Sequence, residues 1–234
     1  MDRFWFNCIC FGMCVGIVAA QPANPPSTKG PARSAAEWIG PGDESIPILM
    51  RYLQAKEPIV VRAALHDFAT RGPRAKPAIP IIRTLLKHSD ATVCIEAAWT
   101  LIDLQEETGA ALKAITDTAK AKDSSTRAYA ARALGEIVNP PFLICCWGPG
   151  PRPMTPRPAL RQQVEPVLMN LLNDREVRVR LAAAEALVRI GKEAKVVVPV
   201  LVGALQETDQ QIRLEAENLL RRVDREAFEK ASRK

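Results

Sequence analysis

The residues that could do chemistry are few and scattered. The chain has two histidines, His66 and His88. His88 stands beside Ser89-Asp90, where a solvated cap at a helix end accounts for it. Of six cysteines, Cys8, Cys10 and Cys14 fall in an apolar N-terminal stretch, which leaves Cys94, Cys145 and Cys146. Three thiols cannot all pair within one chain, and their spacing fits no zinc pattern. No Gly-rich phosphate loop, HExxH or Gly-x-Ser-x-Gly motif occurs. Catalysis needs a nucleophile, an acid or a ligand set that converges. The sequence therefore predicts no catalytic residue, no metal site and no cofactor.

What remains is the chemistry of recognition, and its candidates gain meaning from a 33-residue period. Ala64, Ala97, Ala130, Ala183 and Ala216 are separated by 33, 33, 53 and 33 residues. Phe68, Leu101, Leu134, Leu187 and Leu220 repeat those intervals, as do Val60, Val93, Thr126, Val179 and Ile212. The acids Glu57, Asp90, Asp123, Glu176 and Asp209 lie three residues before the last set. A single 20-residue insertion, 139–158, accounts for the odd interval. A period in this range marks a solenoid, whose units bury their apolar faces only by stacking on one another.

Each unit reads as two helices. Val179, Ala183, Leu187 and Ile190 fall at i, i+4, i+8 and i+11, one face of a 3.6-residue period. The acid upstream is placed to cap free backbone N–H groups and to favour the helix dipole. An earlier helix in each unit carries Leu49, Ile82, Ile115, Leu168 and Leu201, then Leu53, Leu86, Ala119, Leu172 and Leu205. Pro47, Pro80, Pro166 and Pro199 share one position with Lys113, and that position is expected in the first turn, where proline's missing N–H is not needed.

On the second helices one stripe is not demanded by the core. Its members are Ala63, His66, Thr70; Glu96, Trp99, Asp103; Tyr129, Arg132, Glu136; Ala182, Glu185, Arg189; and Glu215, Asn218, Arg222. Trp99 stands where other units place histidine, arginine, glutamate or asparagine. Aromatic anchors in a polar rim are the usual composition of a binding hot spot, so Glu96, Trp99, Asp103, Tyr129, Arg132 and Glu136 are the candidate partner-binding residues. The alternative is that either ring folds over the neighbouring helix to fill a packing gap. Phe142 and Trp147, in the apolar run 142–147 of the insertion, are the second candidate; that run either recognises a partner or docks on the array as a plug.

Basic residues exceed acidic ones by 32 to 26, and the signs are mixed along the chain, which is no nucleic-acid fingerprint. Residues 4–20 are apolar apart from Asn7 and end at Gln21-Pro22, with Val18-Ala19-Ala20 offering a cleavage site. Such a segment is an export signal or, uncleaved, a membrane anchor. Residues 21–42 are rich in Pro, Ala, Gly and Ser and read as a linker. The expected organisation is a signal peptide at 1–20, a linker at 21–42, a repeat domain at 43–229 and a polar tail at 230–234.

At this point the run Val179-Arg180-Leu181-Ala182-Ala183-Ala184-Glu185-Ala186-Leu187-Val188-Arg189-Ile190-Gly191, followed by Val198-Pro199-Val200-Leu201, resembles HEAT repeats of the short bacterial type also found in phycobilin lyase subunits. Thr126-Arg127 with Ala130-Ala131-Arg132-Ala133-Leu134-Gly135 is similar. The resemblance implies an all-α, right-handed solenoid of about five helix pairs. It also implies a structural role for the motif arginines Arg127, Arg180 and Arg213, which in the family often ladder to neighbouring acids. The first two units depart from the pattern there, with Val61 and Cys94. No His-Glu dipeptide occurs, so the metal-binding pattern of the HEAT-like deoxyhypusine hydroxylases is absent. The expected function is a non-catalytic protein-binding or scaffold module, exported to the periplasm or the extracellular space, whose partner is another protein. A lyase- or chaperone-like subunit and a nucleic-acid binder using the three arginines are the alternatives.

Overall fold

The computed structural model describes residues 45–140, 157–192 and 194–231. These residues are helical throughout, without strands. Five helix pairs follow one another: α1 (Ile46–Tyr52) with α2 (Pro58–Arg71), α3 (Ile79–Leu85) with α4 (Ala91–Asp103), α5 (Thr108–Thr118) with α6 (Ser124–Val138), α7 (Pro158–Leu171) with α8 (Val177–Arg189), and α9 (Ala194–Ala204) with α10 (Gln210–Val223). A 3-10 turn at Gly72–Ala78 leads into α3, and a final short helix, α11 (Arg225–Ala231), follows α10. The architecture is an all-α solenoid with the expected frame.

The columns are the core. Ala64, Ala97, Ala130, Ala183 and Ala216 are fully buried, and so are Phe68, Leu101, Leu134, Leu187 and Leu220. Leu49, Ile82, Ile115, Leu168 and Leu201 on the first helices match them. Each large side chain of these rows contributes about 1.5–3 kcal/mol by leaving water. Alanine in the first row lets helices come close.

Helix ends follow side-chain reach. Asp90 accepts from the backbone N–H groups of Thr92 and Val93, Asp123 from Thr126, and Asp209 from Gln211 and Ile212. Glu57 and Glu176 occupy the same position but make no side-chain capping bond, because the extra methylene carries the carboxylate past the N–H groups. The proline column also needs correction. Pro47 and Pro80 open their helices as expected, whereas Pro166 and Pro199 lie inside α7 and α9. Those helices begin further upstream, α7 with Pro158 in its first turn. Each internal proline removes one i→i−4 bond, which the surrounding packing tolerates.

At the exit of α8, Gly191 takes a left-handed backbone (φ 82°). The N–H of Gly191 then meets the carbonyl of Val188 at 3.0 Å and that of Lys192 meets Leu187 at 2.9 Å. This is a Schellman closure. At the matching position after α4 stands Gln105, also left-handed (φ 60°), with Glu106 N–H bonded to the Leu101 carbonyl at 2.8 Å. A side chain there carries a steric cost that glycine avoids.

Second helices of successive units touch, α2 on α4, α4 on α6, α6 on α8 and α8 on α10, while α4 and α8 meet the following first helices, α5 and α9, more extensively than they meet α6 and α10. The contact is most extensive between α6 and α8 and sparser at α4–α6 and α8–α10. One pair of columns explains the difference. A Cβ added at Gly135 on α6 would lie 2.7 Å from the Cβ of Ala186 on α8, so these helices touch backbone to side chain. In the frame the same two positions hold Ala69 with Thr100 for α2–α4, whose contact is also extensive. They hold Ile102 with Ala133 and Val188 with Leu219 at the two sparse joints. Interaxial distance depends on the side chains at the crossing. Small pairs close the joint, and large ones hold it open.

Candidate partner-binding face

The three motif arginines have one geometry. The Nη1 of Arg127 donates to the carbonyls of Ala121 and Lys122 at 2.9 Å each. Arg180 does so to Asp174 and Arg175 at 2.9 and 3.0 Å, and Arg213 to Glu207 and Thr208 at 2.7 Å each. In every case the guanidinium closes the turn between the two helices of its unit. Arg127 adds a bidentate pair to Asp174, Nε to Oδ2 and Nη2 to Oδ1, both at 2.8 Å. Only 8% and 11% of these two side chains is exposed. The pair binds unit three to unit four across the insertion. Asp174 lies well below the usual carboxylate range because Arg127 holds its charged form. At Cys94 a thiol replaces the arginine; its Sγ lies 3.0 Å from the Leu86 carbonyl, and burial pushes its pKa up.

The stripe on the second helices carries a charge network that crosses units. Glu96 on α4 receives Arg62 from α2 at 3.2 Å and the hydroxyl of Tyr129 from α6 at 3.0 Å. Arg132 on α6 reaches Glu185 on α8 at 3.5 Å and Glu215 on α10 at 3.6 Å. Arg189 approaches Glu185 at 3.4 Å. Glu96, Trp99, Tyr129 and Arg132 are thus brought onto one face.

Their roles separate. Trp99 and Tyr129 are partly buried against the core, at the sparse α4–α6 joint. The Nε1 of Trp99 is covered and has no hydrogen-bond partner among the described residues. Burial and the nearby Glu96 carboxylate raise the Tyr129 phenol far above its ordinary range. Tyr129 spans the α4–α6 joint through its hydroxyl bond to Glu96, and both rings pack against the core. Arg132 is the outward member, with 45% of its side chain exposed. Glu136 is partly covered, and burial pushes its pKa up against the pull of Arg189. Asp103 is engaged by Arg157, whose Nη2 meets its Oδ1 at 2.5 Å while Nη1 donates to the Ile137 carbonyl at 3.0 Å. The backbone N–H of Arg157 also bonds the Val138 carbonyl at 2.7 Å, and Asn139 Nδ2 bonds the Arg189 carbonyl at 2.8 Å. Both ends of the insertion are therefore fastened at the C-terminal ends of α4, α6 and α8. Phe142 and Trp147 lie outside the described residues.

A cavity of about 340 Å³ opens at the other sparse joint, lined by Arg132, Leu181, Glu185, Glu215, Asn218, Leu219 and Arg222. The sequence reading places four of these, Glu185, Glu215, Asn218 and Arg222, on the stripe without singling them out. The available signal is Leu219, a large residue in a column that reads Asp67, Thr100, Ala133 and Ala186 in the other units. His88 behaves as the expected cap, its Nδ1 accepting the Asp90 N–H at 3.0 Å. Among the described residues no group of three or more His, Cys, Asp or Glu is placed to hold a metal ion.

Comparison with known proteins gives three findings. Residues 112–221 match the family model for HEAT repeats. No curated protein matches the chain. Among solved structures, an engineered protein is 22% identical, with 80% of this chain and 85% of that one covered and a TM-score of 0.45. A second engineered protein is 20% identical at a TM-score of 0.44, with coverage of 81% and 51%, so this chain spans about half its length. The complex of CpcE and CpcF of phycocyanin lyase from Nostoc sp. PCC7120 is 18% identical, with coverage of 76% and 99% and a TM-score of 0.47. The matched segment begins within α5 and ends in α10, and it contains all three capping arginines, Arg127, Arg180 and Arg213. The first two units share the frame and the buried columns but have Val61 and Cys94 at that position. Units three to five are thus the part of this chain that matches HEAT repeats.

Proposed function

We propose that the array is a non-catalytic scaffold that binds another protein along the stripe of its second helices. The observation that carries this reading is the contrast within one frame. Columns needed for packing hold Ala, Leu, Val, Ile or Phe from unit to unit, with Thr126 the one polar member, while the stripe changes in charge and size and is bridged by ion pairs. Such exposed, half-satisfied arginine and glutamate side chains contribute little to stability in water. They suit steering and register on a partner of complementary pattern. The apolar segment at 4–20 adds the expectation that this partner is met outside the cytoplasm. Among the described residues no helix is long and apolar enough to cross a membrane.

Photocrosslinking tests the face. A benzoylphenylalanine placed at His66 or Asn218, both exposed members of the stripe, should yield a specific crosslinked partner in the native host. The same group at Thr84 or Lys113, exposed on the first helices, should not. Equal yields from both sets would sink the assignment of the face. Fractionation of a C-terminally tagged full chain tests export, since recovery of the unprocessed chain in the cytosol would contradict it.

A further inference from the structure

The two sparse joints of the second-helix layer are handled differently. At α4–α6 the stripe carries Trp99 and Tyr129, both packed against the core, and the Tyr129 hydroxyl crosses the joint to Glu96. At α8–α10 the corresponding stripe positions are Ala182, Glu185, Glu215 and Asn218, none aromatic, and the cavity of about 340 Å³ remains. It is lined by Leu181 and Leu219, each less than a tenth exposed, with polar groups around them.

The hydrogen-bonding inventory of those polar groups is lopsided. Glu185 is approached by Arg189 and Arg132, and Glu215 accepts from Gln211 Nε2 at 3.0 Å and is approached by Arg132. The donors are less well used. Arg132 makes only the two long ion pairs, and among the described residues Arg222 and Asn218 have no hydrogen bond or ion pair. The unmatched charge at the cleft is Arg222, and the unmatched capacity is N–H. A carboxylate complements both, since a guanidinium presents paired N–H groups to its two oxygens.

We propose that the α8–α10 cleft receives an internal segment of the partner that carries an acidic side chain next to an apolar, preferably aromatic, one. The apolar side chain lies on Leu181 and Leu219, as the Tyr129 ring packs on the core while spanning the joint two units earlier. The carboxylate meets Arg222 and Asn218, with Arg132 at the opposite wall. This assignment rests on the scaffold reading and names the chemistry of its partner.

The test uses the full chain and capped dipeptides, followed by amide chemical shifts. Acetyl-Asp-Phe-amide should shift signals of α8 and α10, saturably and more weakly as salt is raised. Acetyl-Asn-Phe-amide, its neutral isostere, should bind about tenfold less tightly, the loss expected for one charge-assisted pair at a partly exposed site. Arg222→Gln should bring the two peptides to equal affinity. Asn218→Trp, which places in the cleft the side chain that unit two carries in the same column, should abolish binding of both. Equal binding of the two dipeptides to the unaltered chain would overturn the proposal, and so would shifts located away from α8 and α10. Tighter binding of acetyl-phenylalanine than of acetyl-Asp-Phe-amide would overturn the internal segment in favour of a chain terminus. Because Arg222 is exposed, its variant keeps the test alive even where Asn218→Trp fails to fold. Crosslinks confined to the stripe together with a failed peptide series would leave the scaffold reading standing and remove the cleft.

Discussion

Replacing Arg127 by methionine separates two jobs that the motif arginine performs. Met keeps the unbranched stem and loses the guanidinium. At Arg180 the same change removes two bonds to turn carbonyls, at 2.9 and 3.0 Å. At Arg127 it removes two equivalent bonds and also the bidentate pair with Asp174. Hydrogen bonds from a charged donor contribute about 1.5–3 kcal/mol when largely covered; Arg180 is partly exposed, so Arg180→Met should cost about 1.5 kcal/mol. Removing one partner of a buried pair costs about 3–5 kcal/mol, because the other charge is stranded. Arg127→Met should therefore cost about 4 kcal/mol, at least ~2 more than its counterpart. Urea unfolding followed by circular dichroism reads both. A difference below about 1 kcal/mol would mean that the pair across the insertion does not fasten units three and four.

The same pair has a pH signature whose sign is fixed. Asp174 is held below its unfolded value by Arg127, so the unfolded chain binds more protons as the medium becomes acidic. Its contribution is complete above the unfolded carboxylate value of about 3.9 and is lost as pH falls through the lower native one. The Arg127→Met variant should have a flatter acid limb than the wild type. The double variant Arg127→Met, Asp174→Asn should regain part of the lost stability, since it no longer buries an orphaned carboxylate. A double variant less stable than Arg127→Met would refute the stranded-charge argument.

Gly135→Leu should force α6 from α8, since even a Cβ meets Ala186 at 2.7 Å; a loss of about 3 kcal/mol or more is expected from overpacking, and small-angle scattering should register the opened joint. Gln105→Gly should stabilise the chain by about 1 kcal/mol, because it relieves a left-handed side chain at a Schellman closure; a lowered melting temperature would show that the side chain is needed there. Tyr129→Phe should remove the phenol whose ionisation lies far above the ordinary range, so the difference in ultraviolet absorbance between wild type and variant should stay flat through pH 10–11. A tyrosinate band in that difference at pH 10 would mean that the ring is not buried beside Glu96.

What could be read in the sequence was whatever one residue decides by its own type at a fixed interval. Ala64, Ala97, Ala130, Ala183 and Ala216 announce a shared buried row because the row is needed in every unit. Asp and Glu both occur in the capping column, and the distinction between them rests on one methylene that the period does not weigh. The structural role of Arg127, Arg180 and Arg213 was legible through the resemblance to HEAT repeats, and the turn carbonyls they close lie only five and six residues upstream.

What the period hides is decided between units. Gly135 has no meaning until it is set against Ala186, fifty-one positions on, and Leu219 none until it is set against Val188. These pairs fix which joints close and which stay open, and so they choose the fate of the stripe. Trp99 looks like a hot spot because no other unit repeats it. On its helix Ile102 stands where Gly135 stands one unit later, and the tryptophan packs partly buried against the core. The same reasoning, applied to Val188 and Leu219, moves the open site to the other end of the array. There the stripe has no aromatic of its own, and among the described residues Arg222 has no acid. A residue unique within a repeat is thus ambiguous between partner contact and repair of a joint, and the width of the joint beneath it decides between them.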